Sequence, residues 1–130
     1  MTKENIRQIA GAWIPVLLWM GLIFALSSVS GLKSGLVQGI DLVLRKIAHA
    51  AEYGILGALI LRALQANGRP TRRRDYALAF LVAALYAVSD EFHQRFVGDR
   101  VGAWRDVLID SVGAMIGLDV RRRWLRMKAR

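Results

Sequence analysis

Three short stretches hold most of the side chains able to do acid, base or ligand chemistry. Arg45, His49 and Glu52 fall at i, i+4 and i+7, with Lys46 and Tyr53 on a neighbouring strip. Tyr86, Asp90 and His93 repeat that spacing within "YAVSDEFHQRFVGDR", where Glu91 and Gln94 stand beside them. Asp106 and Asp110 lead into Gly113 and Gly117 at i, i+4, i+7 and i+11. On an α-helix each set forms one stripe. An imidazole beside carboxylates can move protons, so His49 or Asp90 is the candidate general base or acid, with Glu52 orienting His49 and Asp106 on the facing stripe. Lys46 and Arg100 are the groups that would stabilise phosphate charge. No serine is placed to serve as a nucleophile, and the spacing leaves catalysis and binding equally open.

Each feature has a plainer reading. His49 and Glu52 can each hydrogen-bond to a neighbouring helix and so fix packing, worth about 0.6 kcal/mol apiece in a membrane. Asp90 and Glu91 point about 100° apart on a helix, so they cannot form a paired-acid site by themselves; Glu91 can instead clamp Arg95 or Arg100. Arg45, Lys46, Arg95, Arg100 and Arg105 can anchor to headgroups by snorkelling, or equally can clamp a phosphate or pyrophosphate over the acidic pocket. His49, Glu52, Asp90, His93, Asp106 and Asp110 would suit Zn²⁺, Mn²⁺ or Mg²⁺, but no HExxH or comparable spacing is present and the cofactor, if any, stays unknown. The GxxxG at Gly113 and Gly117 reads as close helix packing within one chain. Three polar stripes converging at one level are what favour a shared site.

The elements that must position these stripes are helices. The chain is 55% hydrophobic yet carries a net charge of +9, so its charges and its apolar residues are segregated. Lys and Arg occupy the gaps between apolar runs instead of lining a surface with aromatic readers, which argues against a nucleic-acid partner. Cysteine is absent, excluding disulfides and thiolate metal sites. Ala10 to Ser28 has 19 residues without a charge, close to the roughly 30 Å needed to cross a bilayer. Three further runs follow at about 46–64, 76–96 and 104–120, none with strand-like alternation. The expectation is all-α: one domain over 1–130, a four-helix polytopic transmembrane bundle joined by Gly-, Pro-, Asn- and Asp-containing turns. The first run also resembles a secretory signal, but its length and its Trp13, Pro15 and Trp19 favour a retained helix.

Thirteen of the 19 Lys and Arg residues fall at the N-terminus, in the loop after the second run and at the C-terminus. The positive-inside rule therefore puts both termini in the cytoplasm of a multi-pass cell-membrane protein. Ser27, Ser28 and all three polar stripes then lie in the outer half. A charge at membrane depth costs at least ~2.5 kcal/mol, so the stripes must face one another or a wet cavity.

Together, "SS" after the first run, "RKIAHAAEY", "YAVSDEFHQRFVGDR" and "DVLIDSVGAMIG" resemble the VanZ-like family of small membrane proteins, over Trp13 to Leu118. Lys46, His49 and Tyr53 match one family motif, Asp90, Glu91, Gln94 and Arg100 a second, and Asp106, Gly113 and Gly117 a third. Asp110 departs from it, standing where asparagine is expected, and adds a carboxylate. The family is named for an accessory protein that lowers susceptibility to the glycopeptide teicoplanin. The resemblance thus implies an antibiotic-resistance or cell-envelope role, with the lipid bilayer and an anionic or phosphate-bearing lipid or lipid-linked precursor as partners. Lys46, Tyr53, Glu91, His93, Gln94, Arg100 and Asp110 are the expected ligand-binding residues. The competing expectation is a non-catalytic membrane partner, or a proton or small-solute pathway, against which the apolar inner halves of all four runs argue.

Overall fold

The computed structural model describes residues 2–29, 38–66, 68–97 and 104–130. Those residues form four α-helices and no strand: α1 (Lys3–Ser28), α2 (Gln38–Leu64), α3 (Arg73–Gln94) and α4 (Trp104–Lys128). Arg100 lies outside the described residues, as does the Gly98 to Ala103 segment around it.

Each helix outruns or shifts from the apolar run that announces it, because hydropathy marks burial in lipid whereas backbone hydrogen bonding needs no apolar side chain. The Thr2 hydroxyl accepts from the Asn5 N–H at 3.3 Å, which starts α1 seven residues before Ala10. Asp41 sits in the first turn of α2, where a carboxylate complements the positive end of the helix dipole. The α4 helix carries on through "RRRWLRMK", a run of good helix formers with no stop signal.

Two helices, Lys3–Ser28 and Gly39–Leu64, are long and apolar enough to cross a membrane. In α3 the mean hydropathy is pulled down by Arg73, Arg74, Asp75, Asp90 and Glu91, and in α4 by the basic tail. Their side-chain distribution is nonetheless inverted relative to a water-soluble bundle. The buried residues of α3 are Asp75, Ala79, Ala83, Ala87, Asp90, Glu91 and Gln94, while Leu78, Leu81, Leu85, Val88 and Phe92 are exposed. In α4, Asp110, Gly113, Ala114 and Leu118 are buried, while Leu108, Val112, Met115, Ile116 and Val120 are exposed.

The helix at the centre is α2, which packs on the other three and supplies Tyr53, Leu56, Ile60 and Leu61 to the core. Its partner α4 approaches closest. A Cβ built on Gly113 would collide with the carbonyl group of Ala50, and one on Gly117 with that of Gly54. Backbone meets backbone there only because both positions lack a side chain. The α1 helix touches the bundle along one narrow stripe, Val16, Ile23 and Ser27, and Trp19 Nε1 donates to the Glu52 carbonyl at 2.9 Å.

The α2–α3 corner turns at Gly68, whose φ of 67° lies in the left-handed region, and Pro70 follows it. Asp75 locks this corner. Its fully buried carboxylate accepts from Nη2 and Nη1 of Arg69, at 2.8 and 3.0 Å, and from the Arg72 N–H at 2.7 Å. The Arg69 hydrogen bonds, then that backbone donor, hold the carboxyl below its ordinary range.

Candidate functional site

The end of the bundle opposite Asp75 gathers the C-terminal ends of α1 and α3 with the N-terminal ends of α2 and α4. Here a cavity of about 200 Å³ opens between α2, α3 and α4, lined by Leu42, Arg45, Lys46, His49, Gln94, Asp106, Ile109 and Asp110. It is smaller than the roughly 300–1,000 Å³ clefts that take whole drug-sized ligands. Its size suits a headgroup.

Of the residues expected at a site, Lys46, His49, Gln94, Asp106 and Asp110 line this cavity. Lys46 and Asp106 stand at its mouth, joined at 2.8 Å and each a little over one-third exposed. At that exposure the pair contributes about 0.2–1 kcal/mol, little enough to be opened by a competing ion. Deeper in, His49 Nδ1 lies 3.7 Å from Glu52 Oε2 and 4.0 Å from Asp110 Oδ1. Both separations exceed hydrogen-bond reach. Asp110 is only 4% exposed, and its Oδ1 accepts no hydrogen bond among the described residues.

Glu52, Tyr53, Asp90, Glu91 and His93 stand outside the lining. Asp90, 2% exposed, accepts from Ser27 Oγ at 2.8 Å and from Gln94 Nε2 at 3.0 Å, both at Oδ2. Gln94 is therefore the link between a buried three-residue network and the cavity wall. Tyr53 is fully buried, Glu91 is buried, and the Tyr53 hydroxyl and Glu52 Oε2 make no hydrogen bond among the described residues.

His93 stacks on Phe24, ring centroids 4.2 Å apart, and its Nε2 lies 3.0 Å from the Ser28 hydroxyl. That pairing has the composition of a nucleophile and its base. The Ser28 hydroxyl also lies 2.7 Å from the Phe24 carbonyl, which competes with His93 for its single proton. The contact ties α1 to α3. Among the described residues no three His, Asp or Glu side chains are grouped to hold a metal ion.

One contributor was not among the residues expected to bind or react. Ser27 holds Asp90, and the signal for it was the "SS" pair at the end of the first apolar run. Arg45 lines the cavity, as its place one turn before His49 on the same stripe would allow.

The model of the VanZ/LLP1 family matches residues 10–120, most of the chain and all three polar stripes. The chain belongs to the VanZ/LLP1 family. No curated protein and no solved structure shows significant similarity to it. Membership of this family, with two helices long and apolar enough to span, suggests a membrane protein. The VanZ/LLP1 match reaches the cavity residues on α2, α3 and α4 together, so the site falls within the family region.

Proposed function

We propose that this chain is a four-span membrane protein with both termini in the cytoplasm, and that the cavity beside Lys46 binds the phosphate-bearing headgroup of a lipid or lipid-linked cell-envelope intermediate at the outer leaflet. The four-span reading is supported by the inverted side-chain distribution of α3 and α4, whose large apolar residues face out while Ala, Gly and carboxylates face in. In water that surface would far exceed the few hundred Å² of contiguous apolar patch that monomers carry. In lipid it is the expected face. The orientation is supported by the excess of Lys and Arg at the termini and the α2–α3 corner.

The observation that carries the binding reading is the cavity itself: a headgroup-sized space with Arg45, Lys46 and His49 on one helix face, opening among exposed apolar residues such as Leu42. Guanidinium and ammonium groups there would take phosphate oxygens by charge-assisted hydrogen bonds. A route through the bundle fits less well. Between Tyr53 and Asp75 the core is built from Leu56, Ile60, Leu61, Ala79, Ala83 and Leu118. Binding, and any link to glycopeptide susceptibility through the envelope intermediate held, is the function we assign.

Native mass spectrometry of protein released gently from its own membrane tests this. Wild type should retain a phosphate-bearing lipid that the Arg45→Ala, Lys46→Ala double variant loses. Equal retention by both proteins would refute the cavity as its site.

A further inference from the structure

The lining of the cavity is not simply cationic. It pairs two cations, Arg45 and Lys46, with two carboxylates, Asp106 and Asp110. The two signs are also separated in depth. Lys46 and Asp106 are at the mouth, while Asp110 is almost wholly buried with an oxygen that accepts no hydrogen bond among the described residues. His49 Nδ1 stands 4.0 Å from that oxygen, beyond hydrogen-bond reach, and a buried carboxyl oxygen left without a donor is costly. An N–H donor with a positive charge would satisfy it.

We infer that the headgroup taken here is zwitterionic, with a primary ammonium that meets Asp110 at the floor while its phosphate meets Arg45 and Lys46 at the mouth. The inference rests on the headgroup reading above and narrows it to a phosphate-linked primary amine. Primary is specified because a carboxylate oxygen needs an N–H to accept from, and each N-methyl group removes one until a quaternary ammonium of equal charge has none. Asp106 sharpens the choice. By neutralising Lys46 it lowers the attraction for a headgroup that brings only negative charge, a built-in penalty against the wrong ligand.

Native mass spectrometry in one detergent, with equal concentrations of dioleoyl phosphatidylethanolamine, phosphatidylcholine and phosphatidylglycerol, tests it. Wild type should retain the ethanolamine lipid about tenfold over the other two, the scale of one hydrogen bond to a charged group. Asp110→Asn should erase that preference. Asp106→Asn, at the partly exposed mouth where folding is least at risk, should instead raise retention of phosphatidylglycerol by freeing Lys46. Circular dichroism checks that both variants remain helical. Phosphatidylglycerol held by wild type as well as the ethanolamine lipid, and released by Lys46→Ala, overturns the amine while leaving the phosphate site standing. An ethanolamine preference that survives in both aspartate variants overturns it too. If none of the three lipids is held above the level seen with Lys46→Ala, the headgroup reading falls and the inference falls with it.

Discussion

Ser27 of α1 donates a 2.8 Å hydrogen bond to Asp90 of α3, joining helices 63 positions apart in the chain at the end where the cavity opens. Gln94 donates to the same carboxylate oxygen, so one buried acid fastens α1 and positions a residue of the cavity wall. Asp90 thereby reaches the cavity only through Gln94 and is not itself in the lining.

This arrangement makes Ser27→Ala and Gln94→Ala coupled. Each single change should destabilise the protein by about 1 kcal/mol, within the range of interhelical hydrogen bonds in membranes. Because both donors serve one oxygen, the double variant should depart from additivity by at least ~0.5 kcal/mol. Unfolding in mixed micelles with increasing SDS measures all three, and strict additivity would show that Asp90 does not bind the two residues as a unit.

Close packing of α2 on α4 gives a sharper contrast. Gly113→Leu and Gly117→Leu should prevent α4 from docking, since even a Cβ at either place meets backbone of α2. Gly11→Ala and Gly21→Ala, which meet nothing within 4 Å, should be neutral or stabilise α1 by up to ~1 kcal/mol through helix propensity. Thermal melts followed by circular dichroism, with recovery of folded protein after purification, distinguish the two pairs.

The α2–α3 corner should show an acid limit. Arg69 and the Arg72 N–H lower the Asp75 carboxyl below its unfolded value near ~3.9. A depressed carboxylate stabilises the fold fully above the unfolded value and loses that contribution as pH falls through the folded one. Stability from this pair should therefore be level from pH 7 to about 5 and decline below about 4. Asp75→Asn should be less stable at neutral pH and should lack this part of the acid decline. A variant as stable as wild type at pH 7 would remove Asp75 as the corner lock.

The absence of cysteine makes orientation directly measurable. Single cysteines at Arg74 and Lys128, both exposed, should be shielded from a membrane-impermeant maleimide in intact cells, and one at Arg95 should react. Labelling at Arg74 with protection at Arg95 would reverse the proposed topology.

The sequence made the helices and their polar stripes readable because helical periodicity places side chains around a single axis. Arg45 and His49 on one stripe, and Asp106 and Asp110 on another, do meet at one cavity. Periodicity does not say which neighbour a stripe faces. Asp90 and His93 share a stripe, yet both engage α1 through Ser27 and Ser28, and neither lines the cavity. Nor did apolar runs mark helix ends: the Asp75 lock sits one residue before the expected third span, in a segment read only as a turn. Such pairings depend on helix placement, which no single-helix pattern contains.

The most direct test of the central claim is photo-crosslinking in the native membrane. A photoreactive residue in place of Leu42, at the cavity, is compared with one in place of Leu85, on the exposed face of α3, and the adducts are identified by mass. The account predicts that the Leu42 adduct is enriched several-fold in one phosphate-bearing lipid class, while the Leu85 adducts match the bulk membrane. Identical lipid profiles at the two positions would contradict it.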